Sequence, residues 1–285
     1  MLTGRSICLC RRIQFRRAYN AVKVQTECDV PFENGYPMPR FFVDPCAVLG
    51  DRIVVRGEDA HHMTRVLRMR AGESVTVCVP DTGTVYETVF VSGGEEAVLS
   101  IVSESRADTE PPYEAVVFQA LCKGDKMETV IQKSVETGVH RIVPVITSRA
   151  TVKWDEKDGA RKTERWQKIA SEAAKQCGRG VIPAVSAPMR LADVIDTIAS
   201  WEMPLFCYEG GGVQPLARCL RMYGGTPRRI GIVIGPEGGF APEEAALAEK
   251  AGVRLCGLGK RILRTETAAV FVLSCLSLTY ELQLD

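Results

Sequence analysis

Arg229–Ala269 reads RIGIVIGPEGGFAPEEAALAEKAGVRLCGLGKRILRTETAA, and this stretch decides the fold. It opens on an apolar run, Ile230-Gly-Ile-Val-Ile234, the pattern of a strand buried on both faces. Gly235-Pro-Glu-Gly-Gly239 then breaks the strand with residues that allow close backbone approach and unusual dihedrals. Pro242 opens a predicted helix, where its missing N–H costs nothing, and Glu243 and Glu244 suit the first-turn dipole. Gly252 ends that helix. Val253–Cys256 predicts a second strand, followed by another glycine turn, Gly257-Leu-Gly259, and by Arg261-Ile-Leu-Arg264. Thr265 reads as the N-cap of a last helix, Glu266 to about Leu282, which is apolar nearly all round.

Glycine turns at the carboxyl ends of neighbouring strands are where open α/β sheets bind ligands. A single turn of this kind is an ordinary βα connection. Two of them, with Glu237, Arg264 and Glu266 alongside, predict a binding site. Neither turn carries G-x-G-x-x-G or G-x-x-x-x-G-K-[ST], which argues against a nicotinamide or nucleoside-triphosphate pocket.

Upstream of this stretch the period is also that of alternating strands and helices. Glu114–Leu121 predicts a strand, and Asp125 starts a helix with Glu128 three residues on, a capping-box pattern. Met127, Val130, Ile131 and Val135 make that helix's apolar face, Gly138 ends it, and Arg141–Ile146 is the next strand. This βαβ order predicts a largely parallel sheet. A charged stretch from Lys153 to Glu164 precedes a helix with Trp166, Ile169, Ala170, Ala173, Ala174 and Cys177 on its core side. The opposite face carries Arg165, Lys168, Glu172, Gln176 and Arg179. Leu191–Ser200 predicts a helix, Pro204–Tyr208 a strand, and Gly210-Gly-Gly212 a turn before another helix.

Thr109-Glu-Pro-Pro112 marks a linker, because consecutive prolines interrupt regular structure. Ahead of it, Arg40–Val43, Arg52–Val55, Ser74–Val79, Thr84–Val91 and Ala97–Ser103 predict short strands separated by turns, the signature of a small β-barrel. Between two of them, Glu58–Arg70 places His62, Arg65 and Arg68 three or four residues apart. That cluster is either a solvated basic face or a set of phosphate contacts.

The 285 residues allow one or two domains, and 46% hydrophobic with 25% charged residues are ordinary globular values. No apolar run reaches membrane-spanning length. Eleven scattered cysteines without a C-x-x-C argue against a disulfide framework or a zinc site and fit a reducing, cytoplasmic setting. Three histidines make no metal constellation, so no metal is expected. The net charge of +1 hides an asymmetry. Residues 1–37 hold six of the 36 basic and three of the 35 acidic residues, so the remainder is formally −2. Nucleic-acid binding by such a chain works through local basic patches.

GPEGG followed by LGKRILRTETA resembles the C-terminal half of the bacterial small-subunit ribosomal RNA uridine-N3 methyltransferases, a group of SPOUT-type, S-adenosylmethionine-dependent enzymes. The similarity runs from Met38 to the C-terminus. It implies an α/β methyltransferase domain over 109–285 whose carboxyl segment is threaded as a trefoil knot, and a PUA-like, RNA-binding β-barrel over 38–108. Residues 1–37, with Arg5, Arg11, Arg12, Arg16 and Arg17, read as a targeting peptide or, since Met38-Pro-Arg-Phe-Phe-Val resembles the family's usual start, as an upstream extension without a fixed fold. The resemblance places S-adenosylmethionine on Gly235, Glu237, Gly238, Gly239, Leu258, Gly259, Ile262 and Leu263. It implies RNA contact for His61, His62, Arg65, Arg68, Gln176 and Arg179. Arg264 is expected to orient the base, with Glu266 or Glu172 accepting its proton, and an Arg264–Glu266 ion pair is the structural alternative. The expected partners are 16S ribosomal RNA or the small ribosomal subunit, and a second copy of the chain, since the last helix has two apolar faces. A knotted methyltransferase acting on a tRNA ribose 2′-hydroxyl and a non-catalytic RNA-binding protein stand as alternatives.

Overall fold

Alternating sequence builds the first sheet. In the computed structural model, which describes residues 39–282 apart from 81, 151 and 153 together with a two-strand pairing of Phe32–Glu33 and Tyr36–Pro37, residues 39–285 form one unit and 1–38 another. The extension expected over 1–37 falls almost wholly outside the described residues. Within the larger unit the first six strands are β1 Arg40–Phe42, β2 Val48–Leu49, β3 Arg52–Arg56, β4 Ser74–Val79, β5 Thr84–Ser92 and β6 Glu96–Arg106. They hydrogen-bond in the order β1-β4-β5-β6-β3-β2, antiparallel except for β1 with β4. β3 shows the rule: Ile53 and Val55 are buried while Arg52 and Arg56 face water. Phe41, Val75, Val77, Phe90 and Leu99 complete that core.

Helix α1, Gly57–His61, packs against β3 and β6 and continues as a π-turn over His62–Val66. Ala60 and Met63 anchor the segment in the core, which leaves His61, His62 and Arg65 exposed. The wide turn closes through Leu67 N–H to His62 O at 2.9 Å, and Arg68 ends it at φ +53°, rare for a residue with a Cβ.

The second sheet is parallel throughout. Its strands are β7 Glu114–Ala120, β8 Arg141–Ile146, β9 Ala184–Val185, β10 Met189–Arg190, β11 Met203–Cys207, β12 Gln214–Pro215, β13 Arg229–Ile234 and β14 Arg254–Gly257. The order is β9-β8-β7-β13-β11-β14-β12, with β10 also beside β8. The helices are α2 Lys126–Glu136, α3 Glu156–Cys177, α4 Leu191–Ile198, α5 Leu216–Arg221, α6 Pro242–Lys250 and α7 Thr265–Tyr280. Both faces of the sheet are covered. Ala115 and Val117 of β7 join one core with α2, α3 and α7, while Val116 and Phe118 join the other with α4 and α6. Each large side chain so buried stabilises the fold by about 1.5–3 kcal/mol.

Three local expectations are corrected. The charged stretch is helical from Glu156 onward, where α3 starts, and it runs on into the apolar-faced part of the helix, Glu164 pairing with Lys168 one turn further on. The capping box at Asp125 does not form: Glu128 instead reaches Arg165 on α3 at 2.6 Å. Thr265 is the first residue of α7, with Arg264 in the capping position, because the threonine hydroxyl is engaged elsewhere.

The carboxyl end of α3 joins the two sheets. Lys175 bonds Asp59 of α1 at 2.9 Å, and the Arg40 guanidinium bonds the Gly178 carbonyl. Arg179 is buried, held by Glu110 and by the carbonyls of Val135 and Val139. Gly180 lies so close to Ala107 that a Cβ there would meet it at 2.1 Å. No helix among the described residues is long and apolar enough to cross a membrane.

Candidate functional site

β7 is flanked by β8 on one side and β13 on the other, so the strand order reverses beside it, and such a switch point opens a crevice at the carboxyl ends. A cleft of ≈ 630 Å³ lies there, walled by residues 207–209 after β11, 234–239 after β13 and 257–266 between β14 and α7. Gly235, Glu237, Gly238, Gly239, Leu258, Gly259, Ile262, Leu263, Arg264 and Glu266 all line it.

The first glycine turn is fixed by its neighbours. Gly239 has φ +64°, and a Cβ there would fall 1.8 Å from the Glu209 carboxylate. A Cβ on Gly235 would press at 3.1 Å on Phe240, whose ring lies tilted against Phe206 at 4.2 Å between centroids. Arg149 Nη1 donates to the carbonyls of Gly238 and Phe240 at 3.3 and 3.2 Å. Glu237 accepts from the Lys123 N–H at 3.1 Å and from Lys126 Nζ at 2.9 Å. Burial opposes the Glu237 charge, but the Lys126 hydrogen bond and the surrounding backbone N–H groups outweigh it and hold the carboxyl below its ordinary value. Thr265 ties the two turns together, its Oγ1 donating to Gly235 O at 2.6 Å and accepting from buried Gln119 Nε2 at 2.8 Å.

The second turn is barer. Gly257 is pressed by Val213, but Gly259, at φ +112°, has nothing within 4 Å of where a Cβ would stand. Lys260, Arg261 and Ile262 are exposed, and Leu263 packs against the core. Arg264 is 84% exposed and sits 3.9 Å from Glu266, whose side chain is 19% exposed with Oε2 buried and unpartnered. An ion pair that long and that wet contributes little to stability, so the arginine is free to serve a ligand.

Buried thiols behind the cleft offer no nucleophile. Burial pushes Cys122 up to about 12 and Cys219 up to about 11, and the Cys207 hydrogen bond with burial raises Cys256. No group of His, Cys, Asp and Glu among the described residues is arranged to hold a metal ion.

The other residues singled out in the sequence lie apart from the cleft. Glu172 projects from α3, 74% exposed and 3.5 Å from Lys175. Gln176 is exposed on the same helix, while Arg179 is enclosed and paired inside the protein. His61, His62, Arg65 and Arg68 share one exposed segment, and the Lys175–Asp59 pair brings that segment beside Glu172 and Gln176. Sequence reading missed Gln119, Lys126, Arg149 and Glu209. Only Gln119 carried a signal, as an amide in an otherwise apolar strand.

Residues 109–277 match the family model described as an RNA methyltransferase domain, and residues 55–102 match an RNA methyltransferase PUA domain. The chain is 35% identical over 233 residues to ribosomal RNA small subunit methyltransferase E of Bacillus subtilis, covering 80% of this chain and 90% of that protein. The crystal structure of ribosomal RNA small subunit methyltransferase E from Neisseria gonorrhoeae bound to S-adenosylmethionine superposes with a TM-score of 0.76 at 30% identity, covering 85% of this chain and 98% of that one. A Legionella pneumophila protein solved with bound cofactor S-adenosylmethionine gives 0.75 at 32% identity over the same shares.

Proposed function

The chain belongs to the ribosomal RNA small subunit methyltransferase E family, and from that premise we propose that it methylates N3 of a uridine in 16S ribosomal RNA with S-adenosylmethionine as donor. The observation that carries the reading is that Arg264 and Glu266 share one cleft with both glycine turns. The cradle fits such a donor: at Gly239 the backbone stands at φ +64° against the Glu209 carboxylate, and the glycine turns bring main-chain groups up to the cleft. Gly235, Glu237, Gly238, Gly239, Leu258, Gly259 and Leu263 would hold it, chiefly through their main chains, while Ile262, 89% exposed at the rim, turns its side chain away from it. When bound, S-adenosylmethionine supplies an electrophilic methyl group.

Uridine N3 carries an imide proton and becomes a nucleophile only as that proton leaves. Glu266, with Oε2 unpartnered and its side chain turned inward, is the acceptor the geometry favours; Glu172 stands outside the cleft. Arg264, free in solvent, orients the base and balances charge developing on its O2 and O4. His61, His62, Arg65 and Arg68, with Gln176, grip the surrounding RNA, while Arg179 holds the α3 end in place from within.

The family further supports a division into a PUA-like domain over 38–108 and a knotted methyltransferase domain over 109–285. A homodimer is supported by Phe271, Leu278 and Leu282, apolar residues exposed on and just beyond α7. Reduced thiols and the RNA substrate support a cytoplasmic location. Titration calorimetry with S-adenosylmethionine, followed by nucleoside analysis of 16S ribosomal RNA treated with the protein, tests the reading. Binding and the appearance of N3-methyluridine are expected; a folded protein that yields neither overturns it.

A further inference from the structure

Ile262 is 89% exposed, more than any other large apolar side chain among the described residues, yet it lines the lip of the cleft. Lys260 and Arg261 beside it are exposed too and have no hydrogen bond or ion pair among the described residues. The lip is anchored at its far end. Leu263 packs into the core and Thr265 is bonded to Gly235, so Ile262 protrudes from a short, tethered segment. A lone exposed isoleucine is unremarkable on a surface, but one flanked by cations at the mouth of a reactive cleft has a use.

N3 lies on the Watson–Crick edge of uridine. Pairing hides that edge and stacking holds the base in place, so the base must swing out of the helix and leave a gap in the stack. Apolar side chains fill and pry open such gaps in other nucleic-acid complexes, while neighbouring cations hold the backbone. We propose that Ile262 is a wedge that enters the RNA stack and takes the place of the target uridine as it turns into the cleft, with Lys260 and Arg261 on the flanking phosphates. This rests on the uridine-N3 reading above. A second copy of the chain is the other occupant for an exposed isoleucine. The surrounding like charges match a polyanion and would repel one another across a self-complementary contact.

The test uses a 16S ribosomal RNA fragment carrying the uridine that the unaltered full-length protein methylates, in two forms: that uridine paired with adenine, or set opposite an abasic site. Ile262→Ala is expected to lose about tenfold or more in kcat/KM on the paired form and about twofold at most on the abasic form, since the second form needs no prying. Ile262→Leu restores the paired rate, and 2-aminopurine placed next to the target brightens with the parent but not with Ile262→Ala. Equal loss on both RNAs, weakened S-adenosylmethionine binding, loss of a dimer in light scattering, or no effect overturns the wedge while leaving the enzyme reading intact. A parent that binds no S-adenosylmethionine and methylates neither form overturns the enzyme reading, and the wedge with it.

Discussion

Gly235–Gly239 and Gly257–Arg264 both end strands of one sheet and both line one cleft, but they are held in opposite ways. The first is gripped by Lys123, Lys126, Arg149 and Thr265, which come from separate parts of the chain. The second is held at Gly257 by Val213 and at Leu258, Leu263 and Thr265 by the interior, while residues 259–262 face water, with cations and one isoleucine outward. Preorganised backbone suits a small ligand whose shape is constant, because the ordering cost is met during folding. A bare, cationic lip suits a large polyanion that supplies its own partners. The two halves of the cleft are therefore built for different clients.

The largest effect expected follows from filling the gripped turn. A Cβ on Gly238 meets only Arg149, its Cβ at 3.8 Å and its carbonyl oxygen at 4.0 Å, both ordinary contacts, so Gly238→Ala keeps its fold and most of its cofactor affinity. Gly238→Arg sends a long cation into the cleft and weakens binding about a hundredfold or more in calorimetry, roughly 3 kcal/mol. Next comes the tie between the turns. Thr265→Val strands the Gly235 carbonyl and removes an acceptor for the Gln119 amide, lowering stability by about 2 kcal/mol in denaturant titration. Thr265→Ser retains both bonds and most of that stability.

Smaller effects belong to the bare lip. Lys260→Ala is expected to raise the RNA KM by about threefold and to flatten the salt dependence of RNA binding by roughly one unit of slope, with cofactor affinity unchanged. Equal weakening of cofactor and RNA would erase the contrast between the turns. The smallest effect concerns Glu237, whose folded-state carboxyl lies below its ordinary value. A depressed carboxyl adds stability above the unfolded-chain value, about 4.3, and loses it as pH falls through the folded value. The Tm gap between the parent and Glu237→Gln is thus widest at neutral pH and closes in acid.

The gripped turn was also the more legible in sequence. Ile230–Ile234, the glycines and Pro242 dictate strand, turn and helix locally, and the observed elements follow them closely. The parallel sheet and the cleft were readable for the same reason, since βαβ periodicity needs only neighbours in the chain. What grips the turn was not readable. Gln119 lies 146 residues from Thr265, and Arg149 lies 89 from Gly238, and no local pattern encodes such distances. Thr265 was misplaced as a cap because a threonine before a helix ordinarily serves its own N–H groups, and here a remote carbonyl outcompetes them. Arg179 read as a surface cation because a charge on the polar side of a helix usually is one, and its burial depends on Glu110 beyond the linker prolines.

That last arrangement bears on how the molecule comes apart. Arg179 is shared by the α3 end, by two carbonyls at and beyond the end of α2, and by the segment leading back to the six-stranded sheet. Peeling the sheets from each other would strand a guanidinium inside the protein, a cost of about 3–5 kcal/mol that falls on any half-open form. Intermediates with one sheet intact are thereby depopulated, and the chain from Pro39 onward should melt in a single calorimetric transition, its two halves behaving as one cooperative body.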